Sequence, residues 1–168
     1  MKTLYCILLM ATLGVVTSNA QSREKVVTVF LYNFAINGQW DPKSGESEFL
    51  IGVLDDGSIS KELETLAATK TVGTQKIKII EFSNTSDVRD CHILFIPAGK
   101  SSSLSTVAPK LGSSSTLIVT EKEGMARKGS GINLITVDGK LRYEMNDAEL
   151  DRRNIRLSGK IKSLGISI

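Results

Sequence analysis

The chain holds one histidine, and with it most of the catalytic chemistry open to it. His92 follows Cys91 at the head of the apolar run Cys91-His92-Ile93-Leu94-Phe95-Ile96. Neighbours on a strand point to opposite faces, so this thiol and imidazole cannot readily join as one ligand pair. No second histidine completes a zinc or non-haem iron set, so no metal is expected. A Ser-His-Asp or Cys-His hydrolase would have to draw its base from a core strand, without a nucleophile elbow. His92 therefore reads as a hydrogen-bonded structural residue, and no catalytic set is assigned.

The remaining chemical signals are weaker. Asp55-Asp56 follow the run Phe49-Leu50-Ile51-Gly52-Val53-Leu54, at the strand end where open α/β sheets place their ligands. They are candidate crevice residues, with solvation of a helix start as the simpler account. Gly124, Gly129, Gly131 and Gly139 belong to turns, because no phosphate-cradling glycine motif follows a strand. Trp40 closes the first helix beside Pro42, as packing or as an exposed contact.

The first residues bear on where such a chain works. Lys2, the apolar run Leu4 to Val16, and Ser18-Asn19-Ala20 form the pattern of a cleavable secretory signal over residues 1–20. Residues 21–168 are then one exported domain, long enough for a core of its own. ATP, GTP and NAD(P)H are scarce outside the cytoplasm, so their chemistry is set aside and no cofactor is expected. The formal charge of +3 includes Lys2, and acidic and basic residues are interspersed, which argues against a nucleic-acid footprint. Cleavage also removes Cys6 and leaves Cys91 as the sole thiol, expected to be small and buried.

The spacing of apolar residues between Glu24 and Gly38 predicts a helix, stopped at Asn37-Gly38 and followed by a Trp40-Asp41-Pro42 turn and a polar loop to Glu48. Phe49 to Leu54 is a strand covered on both faces. Ser58 or Ser60 caps a helix running to Thr69. Lys76 to Phe82 is a strand with one wet face, near an edge. Cys91 to Ile96 and Thr116 to Thr120 are buried strands flanking a helix from Ser103 to Leu111, whose last turn Pro109 puts in doubt. Ile132 to Val137, Asp138-Gly139 and Lys140 to Met145 form a hairpin on a type I′ turn. Two helical pieces follow, broken near Asn154, with Leu157, Ile161 and Leu164 as an apolar stripe. The order implies an α/β fold of three layers: a mainly parallel sheet, helices on both faces, and a C-terminal antiparallel hairpin plus helices.

Several segments together resemble the YfiR-like family of bacterial periplasmic proteins. They are Val29 to Phe34 with Trp40-Asp41-Pro42, Phe49 to Leu54, Lys70-Thr71-Val72, Asp90 to Ile96, Glu123 to Gly129, Gly131 to Leu134, Asp138-Gly139-Lys140, Arg142 to Asn146 and Leu157 to Leu164. The resemblance implies a small periplasmic α/β protein without catalytic activity. It also implies binding to the sensor region of an inner-membrane diguanylate cyclase or histidine kinase, whose output falls. Some members carry disulfides; here Cys91 sits at the family's cysteine position with no partner cysteine in the mature chain. Protein interfaces lean on a few aromatic or arginine anchors, which makes Tyr32, Trp40, Arg142, Tyr143, Arg152, Arg153 and Arg156 the candidate partner-binding residues. A homodimer through the Lys76 to Phe82 edge is a further expectation. A small-molecule-binding module, with its crevice at Asp55 and Asp56, is the alternative.

Overall fold

The computed structural model describes residues 17–40 and 47–168. Residues 1–16 of the expected signal, and the Asp41-Pro42 turn with the loop to Glu46, lie outside them. A long helix α1 (Thr17–Asn37) leads into a short strand β1 (Gly38–Gln39). Then come β2 (Glu48–Leu54), α2 (Gly57–Ala67), β3 (Thr71–Val72), β4 (Gln75–Phe82), β5 (Ile93–Ile96), α3 (Leu104–Leu111) and β6 (Leu117–Thr120). The hairpin β7 (Ile132–Val137) and β8 (Lys140–Met145) precedes α4 (Asp147–Arg152), β9 (Arg156–Leu157), α5 (Gly159–Leu164) and β10 (Ile166–Ser167).

Eight strands form one mostly parallel sheet in the order β10-β8-β7-β6-β5-β2-β4-β3. β2 sits between β5 and β4, parallel to both, so its side chains meet a core on either face. Period-two alternation sorts them. Phe49, Ile51 and Val53 share one core with Ile93, Phe95, Leu117, Val119 and the inner sides of α1 and α2. Leu54 goes to the opposite core with Leu94, Ile96, Ile118 and the α3 residues Leu104, Val107 and Leu111. This is why the sequence reads as an unbroken apolar run. Gly52 allows the close approach on the second face, where an added Cβ would lie 2.6 Å from the Phe82 ring. The three-layer α/β arrangement with a closing hairpin is therefore present.

The hairpin turn has Asp138 at φ 50° and Gly139 at φ 72°, the two positive values that a type I′ turn requires. β4 lies one place from the sheet edge, where β3 covers only Gln75 and Lys76. α3 continues through Pro109 to Leu111. It is fed by a 3-10 turn at Ala98–Ser103, and an eight-residue helix entered that way has few interior bonds for a proline to remove.

Four elements differ from expectation. The α2 cap is Asp56, not Ser58 or Ser60: its side chain accepts the Ile59 N–H at 3.2 Å. Cys91 and His92 stand just before β5 instead of within it. The apolar stripe of the last helix fails at Leu164, 64% exposed, because α5 ends there and Gly165 packs under Tyr143 and Met145. The segment after the break also contributes strands: β9 pairs with β1, and β10 runs parallel to β8 at the sheet edge.

Candidate functional site

His92 is tied down at three atoms. Its N–H donates to Leu50 O at 3.0 Å, its Nδ1 accepts the Leu50 N–H at 3.0 Å, and its carbonyl accepts the Trp40 indole N–H at 2.9 Å. The ring stacks on Phe49 at 4.4 Å, and Trp40 meets Phe49 edge-on at 5.1 Å. An Nδ1 that accepts a backbone N–H fixes the tautomer with hydrogen on Nε2 and cannot itself take a proton from a nucleophile. Cys91 beside it is fully buried, its Sγ donating to Ile93 O at 3.2 Å. Among the described residues no cluster of three metal-ligating side chains forms.

The candidate partner-binding residues divide sharply. Arg142 and Arg156 are exposed. Trp40 is half-buried and shares a crevice of about 380 Å³ with Gln39, Asn154 and Arg156. Tyr32, also half-buried, reaches Thr71 O at 3.4 Å and so touches β3. Arg152 is exposed but occupied: one nitrogen donates to Gly112 O at 2.7 Å and another to Glu149 Oε2 at 2.6 Å.

Two candidates are corrected. Tyr143 is 3% exposed; its hydroxyl donates to Ile161 O at 2.6 Å, and its ring meets Phe34 and Phe30 edge-on at 5.1 and 5.7 Å. Arg153 is 1% exposed and donates to Ser114 O and Ala108 O at 3.3 Å each, with Glu149 3.7 Å from its Nε. Burial and the neighbouring Arg152 charge lower its pKa against the opposing pull of Glu149. An arginine stays protonated through such a shift. Both side chains hold elements together: Tyr143 holds α5 to the sheet, and Arg153 holds the end of α3 to α4. Arg152 ends α4 and Arg153 caps it, so one points outward where the other points in.

Asp55 and Asp56 lie at the carboxyl end of β2, as expected, and both are engaged locally. Asp55 adopts φ 48° and forms an ion pair with Lys100, while Asp56 caps α2 and accepts the Ser58 hydroxyl at 2.6 Å. The larger concavity on this edge lies further along, at the ends of β6 and β7. There a crevice of about 590 Å³ is lined by Arg23, Glu121, Glu144 and the apolar Leu134, Ile135 and Leu141. Arg23 forks onto Glu121. Burial works against its charge, yet hydrogen bonds to Glu121 and Glu24 and the attraction of Glu121 leave its pKa above the usual arginine value. Behind the crevice Asn133, fully buried, accepts from Thr120 Oγ1 at 2.8 Å and from the Lys122 N–H at 3.2 Å, and donates to Glu144 at 2.9 Å. Sequence reasoning missed this network. Its signal was an asparagine inside the apolar strand Ile132 to Val137, a buried amide that must find partners.

A model of the YfiR/HmsC-like family matches residues 24–165. The chain belongs to the YfiR/HmsC-like family. The match takes in both cores, every candidate partner residue and all of the crevice lining except Arg23. Membership points to a periplasmic regulator, and among the described residues no helix is long and apolar enough to cross a membrane. No curated protein matches. Two solved structures share the fold at a TM-score of 0.56. A conserved domain protein of Vibrio cholerae is 10% identical over 86% of this chain. An ABC domain of Streptococcus pneumonia, solved with L-Trp, is 12% identical over 86%. This YfiR/HmsC-like chain spans 59% and 60% of those two chains.

Proposed function

We propose that this YfiR/HmsC-like protein is a non-catalytic periplasmic regulator that binds the sensor region of an inner-membrane signalling protein and represses its output. The partner is a diguanylate cyclase or a histidine kinase. Family membership across residues 24–165 carries this reading. The surface is consistent with it. Val26, Val29 and Ile36 on α1 are 39%, 52% and 45% exposed, and Ile166 on the edge strand is 41% exposed. Exposed apolar side chains and exposed arginines are what a transient interface uses. The anchors are Arg142 and Arg156, with Tyr32 and Trp40 in supporting positions.

The test is co-purification of the secreted protein with the isolated periplasmic domains of candidate diguanylate cyclases and histidine kinases, and measurement of the captured sensor's output. Arg142→Ala with Arg156→Ala, and separately Val29→Glu, leave the protein folded and weaken capture. Equal capture by all variants, or an output unchanged on deletion of the protein, overturns the reading.

A second reading is a small-molecule-binding module. It is supported by the crevice of about 590 Å³ at the carboxyl ends of β6 and β7, the edge where open α/β sheets hold ligands. The Streptococcus protein of the same fold was solved with L-Trp. A ligand of that crevice could tune affinity for the sensor, so the two readings combine.

A further inference from the structure

β5 and β6 are parallel neighbours in register, with Ile96 opposite Thr120, so the loops leaving their carboxyl ends lie side by side. One loop is the turn Ala98–Ser103 that feeds α3. The other runs from Glu121 through a 3-10 turn at Ala126–Lys128. Between them lies a cavity of about 310 Å³. Its walls are Ser101, Ser102, Lys122 and Lys128, over the apolar Leu104 and Met125.

Most of the polar side chains on these walls lack protein partners among the described residues. Among the described residues, no ion pair holds Lys122 or Lys128, and no hydrogen bond occupies the hydroxyl of Ser101 or Ser102. Ser105, also on the wall, is different: its hydroxyl donates back to Ser102 O at 2.9 Å. The acids nearby that could neutralise the lysines are spoken for. Glu121 is held by Arg23 and Asp55 by Lys100, leaving the exposed Glu123 on the crevice side of the loop. The backbone beneath the lysines is fixed. The Lys122 N–H donates to buried Asn133, Met125 N to Lys122 O at 3.2 Å, and Lys128 N to Met125 O at 3.0 Å. Two lysines and two serine hydroxyls therefore line one concavity at the carboxyl edge of the sheet, the edge where open α/β sheets hold ligands.

We infer that this cavity binds the anionic oxygen group of a small molecule. The lysines supply charge, the serine hydroxyls supply oriented donors, and Leu104 and Met125 accept a short apolar portion. The shared chemistry is an oxyanion, carried by a carboxylate or by a phosphate. The site is distinct from the partner-binding surface and is tested without a protein partner.

Backbone amide chemical shifts of the purified protein are followed while inorganic phosphate or butyrate is added at constant ionic strength, with chloride as reference. Saturating shifts centred on residues 101–105 and 122–128 are expected for at least one of the two. Saturation by phosphate identifies a phosphate group, and saturation by butyrate alone identifies a carboxylate. Lys122→Gln with Lys128→Gln weakens binding at least about 10-fold, because two charge-assisted contacts are lost. Lys140→Gln at the hairpin tip leaves it unchanged. Should the double variant fail to fold, Lys128→Gln alone still weakens binding. Shifts no different from chloride for both anions, or affinity indifferent to the lysine substitutions, overturn the inference.

Discussion

Replacing Tyr143 by Phe removes one oxygen from the aromatic cluster it forms with Phe30 and Phe34 and changes little else. The ring keeps its edge-on contacts with Phe34 and Phe30, so the loss is confined to the 2.6 Å bond to Ile161 O. A buried carbonyl left without any partner costs about 1–3 kcal/mol, but the Gly165 N–H also reaches Ile161 O, at 3.2 Å. The expected cost is therefore near the value of one neutral hydrogen bond, about 1 kcal/mol, or roughly 3 °C in Tm for a domain of this size. A pH series adds an independent check. Burial raises the Tyr143 pKa above its ordinary 10.0. With the folded pKa above the unfolded one, the folded state keeps its proton while the unfolded chain loses it. The tyrosine's contribution is then full below pH 10.0 and fades as pH rises through the folded value. Urea unfolding of both proteins from pH 8 to 11 should show a gap that is widest at the acid end and narrows above about 10. A gap of constant size across the series, or none at pH 8, would refute the assignment of Tyr143 as the buried latch on α5.

Gly52→Ala places a methyl 2.6 Å from the Phe82 ring and 3.1 Å from Cys91 Sγ. It should cost about 1–3 kcal/mol, read as a lower urea midpoint at unchanged slope. Trp40→Phe keeps an aromatic ring against Phe49 and deletes the indole bond to His92 O, for an expected loss of about 1 kcal/mol by the same measurement. Cys91, 0% exposed, should react with an aromatic disulfide reagent only through opening of the fold. Its rate should climb with urea towards that of the unfolded chain, whereas rapid modification in native buffer would contradict its burial.

The parts legible in the sequence were those with strong local causes. Asp138-Gly139 between two alternating runs can form only a tight hairpin, and the continuous apolar run of β2 follows from its place between two parallel neighbours. The two-residue strands β1, β3, β9 and β10 carry no such signal, because their pairing is set by segments far away in sequence. Candidate contacts suffered from the same limit. Arg152 is exposed while Arg153 beside it is buried, and the difference lies in which side of the α4 end meets the end of α3. An arginine-rich stretch reads the same whichever way its members point. The crevice polar network was hidden because Asn133 is one amide in an apolar strand and its partners, Thr120 and Glu144, come from two other strands.

The small sheet that joins β1 to β9 pairs Gly38 with Leu157, and the Ser158 N–H closes it further onto Asn37 O. The oldest helix on the chain is thus completed by nearly its newest residues. Phe34 of α1 packs on Tyr143, and its neighbours Val27 and Leu31 share a core with Ile155, Leu157 and Ile161. Until the last segment emerges, α1 has only part of its apolar side covered, and contacts of such long sequence separation are slow to form. A chain built this way is expected to commit to its fold late, once its C-terminal segment is free to pack against its first helix.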